Sequence, residues 1–308
     1  MTLALFTHAA CLRHEPGPGH PESPARLAAV LQALDSDRFA AVDRIEAPAA
    51  TREQLLRVHD AHLIDDILLG TQEGEQRRLD PDTALSHGSC EAALRAAGAV
   101  CAAIDRVMRG QSRSAFCAVR PPGHHATAQT AMGFCLFNNV AIGAAHALAA
   151  HGLDRVAIVD FDVHHGNGTQ DIFWSEPRVL YASSHQWPLY PGTGASRERG
   201  AGNIVNAPLD AGAGSAEFRT AYRDIVIPAL DAFAPELVLI SAGFDAHRLD
   251  PLANLDLVTG DFAWVTAELV DLAHRHANGR VVSSLEGGYS LTALRESTAA
   301  HVAALLEA

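Results

Sequence analysis

Short runs that are apolar at nearly every position recur along this chain, with stretches of helical spacing between them. The runs fall at 3–7, 115–119, 156–161, 179–183, 203–206, 237–241 and 281–285. A run this short and this continuous predicts a strand covered on both faces, since a half-exposed strand alternates. Helices are predicted at 24–34, 52–58, 88–109, 139–150, 216–233, 261–276 and 291–306. Ser23 suits an N-cap and Pro24 the first helical position. The stretch 88–109 is rich in Ala and poor in β-branched residues. Strands alternating with helices predict an α/β fold, a mostly parallel central sheet with helices on both faces. Sites in such folds form beyond the carboxyl ends of the strands.

No Pro/Ser/Gly-rich linker or repeat interrupts the pattern, so one domain over 1–308 is expected. No apolar run reaches the roughly 18 residues of a membrane span, and the first fifteen residues lack a basic leader region. Lys+Arg 23 against Asp+Glu 36 gives a net charge of −13. That balance disfavours nucleic acid and anionic membranes and suits a cationic substrate. Cys11, Cys90, Cys101, Cys117 and Cys135 form no Cys-x-x-Cys pair and read as reduced thiols of a cytoplasmic protein.

Four of the runs end in residues that carry chemistry. "SAFCAV" leads into "RPPGHHA" (120–126), "VAIVDF" into "DVHHGNG" (162–168), "LVLISAGF" into "DAH" (245–247) and "VVSSL" into "EGGYS" (286–290). Buried charge is costly unless paired or bound to metal. In an extended segment, residues two apart face one way, so Asp162 and His164 would present a carboxylate and an imidazole together. Asp160 would lie one step deeper, and Asp245 is the natural third ligand. Two Asp and one His, with positions open to water, suit a catalytic divalent metal, zinc first and Fe2+ second. The same alternation turns His165 away, toward packing or a supporting hydrogen bond. His124 and His125 are suited to flank a metal-bound water. Gly287 and Gly288 allow close backbone approach to a bound group, and the Tyr289 hydroxyl would reach a carbonyl.

Seven segments together resemble the histone deacetylase family, above all its class II and bacterial amidohydrolase branch. They are "GHPESPARL" (19–27), "RPPGHHA", "GFCLFNN" (133–139), "DFDVHHGNG" (160–168), "YPGTG" (190–194), "SAGFDAH" (241–247) and "EGGY" (286–289), in family order over nearly the whole chain. The resemblance implies a three-layer arginase/deacetylase-like fold with a sheet of about eight strands. It implies zinc on Asp162, His164 and Asp245, a carbonyl-polarising Tyr289, and His125 as general base and then acid. His124 would be an electrostatic imidazole partnered by Asp160. Gly133, Phe134 and Tyr190, with Gly287 and Gly288, would line the acyl-lysine tunnel, Asp82 its rim and Arg26 its foot. A potassium ion would take the side chains of Asp160 and Ser183 and backbone oxygens of Asp162, His164 and Ser184. Asn167, where many members have Asp, would partner His125 and orient it without adding charge.

Rival chemistries are poorly served. A binuclear manganese site needs a further carboxylate where Gly166 stands. No Gly-x-Ser-x-Gly occurs, and Cys135 has no assigned base. A non-catalytic acyl-lysine binding module would be expected to have lost a ligand or Tyr289. The expected substrates are acetyl-lysine peptides or proteins, with acetylated polyamines and other small amides as the alternative.

Overall fold

The computed structural model describes residues 3–307. In chain order the elements are β1 (Leu3–Thr7), α1 (Pro24–Leu34), β2 (Asp43–Glu46), α2 (Arg52–Leu55), α3 (Ala61–Leu69), β3 (Gln76–Arg78) and β4 (Ala84–Ser86). Then come α4 (Ser89–Met108), β5 (Ser114–Cys117), α5 (Asn139–His151), β6 (Val156–Asp160), α6 (Asn167–Ile172), β7 (Val179–Gln186) and β8 (Ile204–Leu209). The chain ends with α7 (Ser215–Ala221), α8 (Ile227–Phe233), β9 (Leu237–Ala242), α9 (Thr259–His276), β10 (Val281–Leu285) and α10 (Leu291–Leu306).

Eight strands form one sheet in the order β2-β1-β5-β10-β9-β6-β7-β8. Every pairing in it is parallel, so the sheet is wholly rather than mostly parallel. Helices α4 and α5 pack on one face; α1, α9, α10 and the α7–α8 segment pack on the other. Both faces being covered explains why β5, β6, β9 and β10 are buried at every residue. These four are neighbours at the centre of the sheet, and they are the four whose ends carry the motifs.

The periphery departs from expectation. β2 was not expected, because its sequence Asp-Arg-Ile-Glu has no apolar run and only its backbone joins β1. Charged side chains on such an edge discourage pairing with other chains. β8 is the opposite edge and tolerates Pro208 there. β3 and β4 form a separate antiparallel pair whose connection carries Asp82. The expected helix at 216–233 is divided by a π turn at Tyr222–Val226. Pro228 has no N–H for the Asp224 carbonyl, which the widened turn accommodates. Ser23 does hold the N-cap position of α1, but its side chain makes no capping bond. Among the described residues, no helix is long and apolar enough to cross a membrane.

Candidate active site

At the end of β6 the chain leaves the sheet through two successive side-chain turns. Asp160 Oδ1 accepts the Asp162 N–H at 3.1 Å, and Asp162 Oδ1 accepts the His164 N–H at 2.9 Å. Aspartate favours such i to i+2 bonds. Strand alternation therefore does not set the spacing, since β6 stops at Asp160. The turns bring Asp162 and His164 to one point, where Asp245 from the end of β9 meets them. His164 Nδ1 lies 3.2 Å from Asp162 Oδ1 and 3.2 Å from Asp245 Oδ2. Both carboxylates are buried, and His164 is 12% exposed.

These donors fit a tetrahedral metal. Ligand atoms about 2.0–2.2 Å from zinc stand roughly 3.3 Å apart, close to the separations here. Backbone bonds aim the carboxylates inward: Val163 N–H donates to Asp245 Oδ1 at 2.9 Å, and Gly287 N–H to Asp162 Oδ2 at 2.8 Å. Glycine is required for this approach. A Cβ on Gly287 would lie 2.1 Å from Asp245 Oδ2, and one on Gly243 would lie 2.0 Å from Asp162 Oδ2. Burial and the Asp162 charge push the Asp245 carboxyl up, a repulsion a bound cation would relieve. A Cβ on Gly166 would lie 2.4 Å from Asp160 Oδ2, which leaves no room for a further carboxylate ligand.

The two histidines after β5 stand side by side, ring centres 4.1 Å apart, in opposite electrostatic settings. His124 Nδ1 meets Asp160 Oδ2 at 3.0 Å, an oxygen that also accepts the Tyr181 hydroxyl at 3.0 Å. Burial opposes charge on His124, but Asp162 and Asp160 outweigh it and raise its pKa to about 10. His125 Nδ1 meets Asn167 Oδ1 at 2.8 Å. An amide oxygen accepts without adding charge. Burial, then the charges of His124 and His164, drive the His125 pKa well below its ordinary value. His125 is thus held neutral with its proton on Nδ1, and Nε2 is free to accept another.

Above the ligands opens a cavity of about 230 Å³ lined by Asp82, His125, Gly133, Phe134, His164, Tyr190, Leu252 and Tyr289. A Cβ on Gly133 would lie 2.5 Å from His125 Cδ2, and the residue has φ +57°. Phe134 also sits at positive φ, +68°, and its N–H donates to Thr83 Oγ1 at 3.0 Å. Its ring meets Tyr289 edge-on with centres 5.8 Å apart. Tyr190 stands edge-on to His125, centres 5.1 Å apart. Gly287 and Gly288 do not line the cavity. Gly287 lies against the carboxylates, and Gly288, at φ +119°, backs onto Leu294 and Phe244. Leu252 takes a place in the wall that no motif indicated.

Beneath the site, Arg26 is fully buried, its guanidinium 4.8 Å from the Tyr289 ring centre. It donates to the carbonyls of Gly288 and Glu286 and, at 3.1 Å, to Glu22. Glu22, absent from the expected residues although its motif was singled out, also pairs with buried Arg120. The i, i+4 spacing of Glu22 and Arg26 was the available signal. His165 faces elsewhere, meeting Thr193 Oγ1 at 2.7 Å and Gln170 Oε1 at 3.0 Å. Asp160 and Ser183 are cross-strand partners and both buried, with Ser183 Oγ 2.9 Å from His185 Nδ1. Cys135 is buried, and burial pushes its thiol well above the ordinary value, the opposite of a nucleophile.

A second His/Asp cluster, Asp105 with His146 and His151, lies between α4 and α5. Arg57 donates to His146 Nδ1 at 2.6 Å. The imidazole proton must then sit on Nε2, where it bonds Asp105 at 2.8 Å rather than a metal. This cluster is a half-buried hydrogen-bond network between two helices, with Asp105 as the shared acceptor.

Residues 20–305 match the family profile described as Histone deacetylase domain. The Histone deacetylase-like amidohydrolase of Pseudomonas aeruginosa is 40% identical over 93% of this chain and 81% of its own. Histone deacetylase 14, chloroplastic, of Arabidopsis thaliana is 38% identical over 98% of this chain and 76% of its own. The crystal structure of the HDA15 HD domain superposes with a TM-score of 0.94 at 37% identity, covering 99% of this chain and 88% of that one.

Proposed function

The chain belongs to the histone deacetylase family, and from that premise we propose that it is a zinc-dependent amidohydrolase removing acetyl groups from the ε-amine of lysine. The observation that carries this reading is the meeting of Asp162, His164 and Asp245 next to a cavity that His164 lines together with Phe134, Tyr190 and Tyr289. Zinc on those three ligands, or Fe2+ as the second choice, would act as a Lewis acid on the amide carbonyl and lower the pKa of a water to about 7.

The chain's own groups supply the rest. The cavity admits an extended acyl-lysine stem between the Phe134 and Tyr190 rings. Tyr289 donates its hydroxyl hydrogen to the carbonyl oxygen as negative charge develops there. His125 Nε2 takes a proton from the attacking water and passes it to the amine as the C–N bond breaks. Burial and the charges of His124 and His164 keep that imidazole neutral at the start, and Asn167 orients it without adding charge. His124, held charged by Asp162 and Asp160, contributes a positive field beside the reacting carbon. A potassium ion below would take the side chains of Asp160 and Ser183 and backbone oxygens of Asp162, His164 and Ser184. The whole chain acts as one catalytic domain, in the cytoplasm, where its five free cysteines stay reduced.

A second reading keeps the chemistry and changes the substrate. Asp82 places a carboxylate at the cavity, and the net charge of −13 favours cations, so an acetylated polyamine also fits. Acetate release from an acetyl-lysine peptide and from acetylputrescine, measured side by side as kcat/KM, tests both. The peptide is expected to be preferred. A reversed preference makes the chain a polyamine deacetylase, and no acetate from either removes the hydrolase reading.

A further inference from the structure

Between Asp245 and α9 runs a loop, 246–258, that supplies Leu252 to the cavity wall. Within it Asp250 is only 8% exposed. Its Oδ2 accepts the backbone N–H of Tyr289 at 2.7 Å and of Ser290 at 3.2 Å. Its Oδ1 accepts the N–H of Leu252 at 3.1 Å. One carboxylate therefore ties the backbone of Tyr289 to that of Leu252, and both residues line the cavity.

Helix capping accounts for the bond to Ser290, whose N–H is an orphan donor of the α10 cap, but not for the shorter bond to Tyr289. Ser290 is the N-cap of α10, and its own Oγ takes the Ala293 N–H. Tyr289 stands before the cap, outside the first turn, whose N–H groups need partners. What does need holding is the turn itself. Gly287 and Gly288 precede Tyr289 and offer no side chain to anchor it, and Gly288 sits at φ +119°. The ring is bounded by Phe134 and Arg26; of the peptide unit that aims it, Arg26 holds the Gly288 carbonyl and Asp250 holds the Tyr289 N–H. We propose that Asp250 is a positioning residue for Tyr289, and that it keeps the phenol in register with the Leu252 wall of the acyl tunnel. This rests on the reading that Tyr289 polarises the substrate carbonyl. A shift of about 1 Å in such a group costs on the order of a hundredfold in rate.

The test is a double-mutant cycle on an acetyl-lysine peptide: Tyr289→Phe, Asp250→Ala and the pair, each with kcat, KM, bound zinc and Tm. Asp250→Ala is expected to lower kcat about 10- to 100-fold with KM and zinc content nearly unchanged. In the Tyr289→Phe background it should add less than about twofold, because the two residues act as a unit. Asp250→Asn retains one acceptor oxygen, should fall between, and serves the same cycle if the alanine variant does not fold. Ser290→Ala removes the helix cap, and should lower Tm while kcat holds. Losses that multiply in the double mutant, or an unchanged kcat in the Asp250 variants, overturn the proposal. A Tyr289→Phe enzyme with full kcat instead removes the reading beneath it.

Discussion

His125 Nδ1–H donates a hydrogen bond to Asn167 Oδ1 across 2.8 Å, while its neighbour His124 faces the carboxylate of Asp160. The two imidazoles, adjacent in sequence, are driven in opposite directions, His124 up to about 10 and His125 well below its ordinary value. Adjacent groups with separated protonation states are what a charge stabiliser and a proton acceptor require.

Asn167→Asp converts the His125 partner to a charge and favours the imidazolium form. A general base must start neutral, so a raised His125 pKa costs activity on the acid side. The acidic limb of the kcat/KM profile should move to higher pH in this variant. An unmoved limb would mean that His125 is not the group being titrated.

Tyr289→Phe removes the hydroxyl and little else, since the ring contacts with Phe134 and Arg26 remain. Loss of one donor to a developing oxyanion costs about 10²–10³ in kcat. Steady-state kinetics should show that loss with KM changed only slightly. Comparable changes in both parameters would assign Tyr289 to substrate binding.

Gly287→Ala would drive a methyl to within 2.1 Å of Asp245 Oδ2 and 2.5 Å of Asp162 Oδ2. Neither carboxylate has room to retreat in a buried site. Elemental analysis should find zinc well below one equivalent in this variant, with circular dichroism near that of the parent. Full zinc occupancy would place the metal elsewhere.

The fold's centre was legible because its strands are covered on both faces and therefore read as unbroken apolar runs. β2 was not, since Asp43–Glu46 contributes backbone pairing and almost no buried side chain. The candidate metal-binding cluster of Asp162, His164 and Asp245 was legible from two strand ends, yet the reason for its convergence was not. It lies in two aspartate-capped turns after β6, which periodicity does not report. Leu252 and Asp250 escaped for a different reason. A lone Leu and a lone Asp in an irregular loop have no period, and their value comes from what the fold brings opposite them.

His301 offers a stability test away from the site. It is fully buried, with Nδ1 2.6 Å from Thr266 Oγ1 and Nε2 2.8 Å from Ser283 Oγ. Burial alone lowers its pKa to about 3. The unfolded chain takes up this proton near pH 6.5, and the folded one resists it until about 3. Stability is therefore complete above that upper value and falls as the medium is acidified through the window, by up to ~1.4 kcal/mol per pH unit from this group. Urea unfolding at stepped pH should give a shallower acid decline for His301→Gln than for the parent, whatever the absolute stability of the variant. Parallel declines would mean that His301 is already charged in the fold.

The most direct measurement is acetate release from an acetyl-lysine peptide by protein stripped of metal with a chelator and then titrated with zinc. Activity should be absent at the start, rise linearly and level off near one zinc per chain, and the Asp162→Ala protein should not recover at the same concentrations. Hydrolysis that survives stripping, or that zinc does not restore, would contradict a zinc-dependent deacetylase built on Asp162, His164 and Asp245.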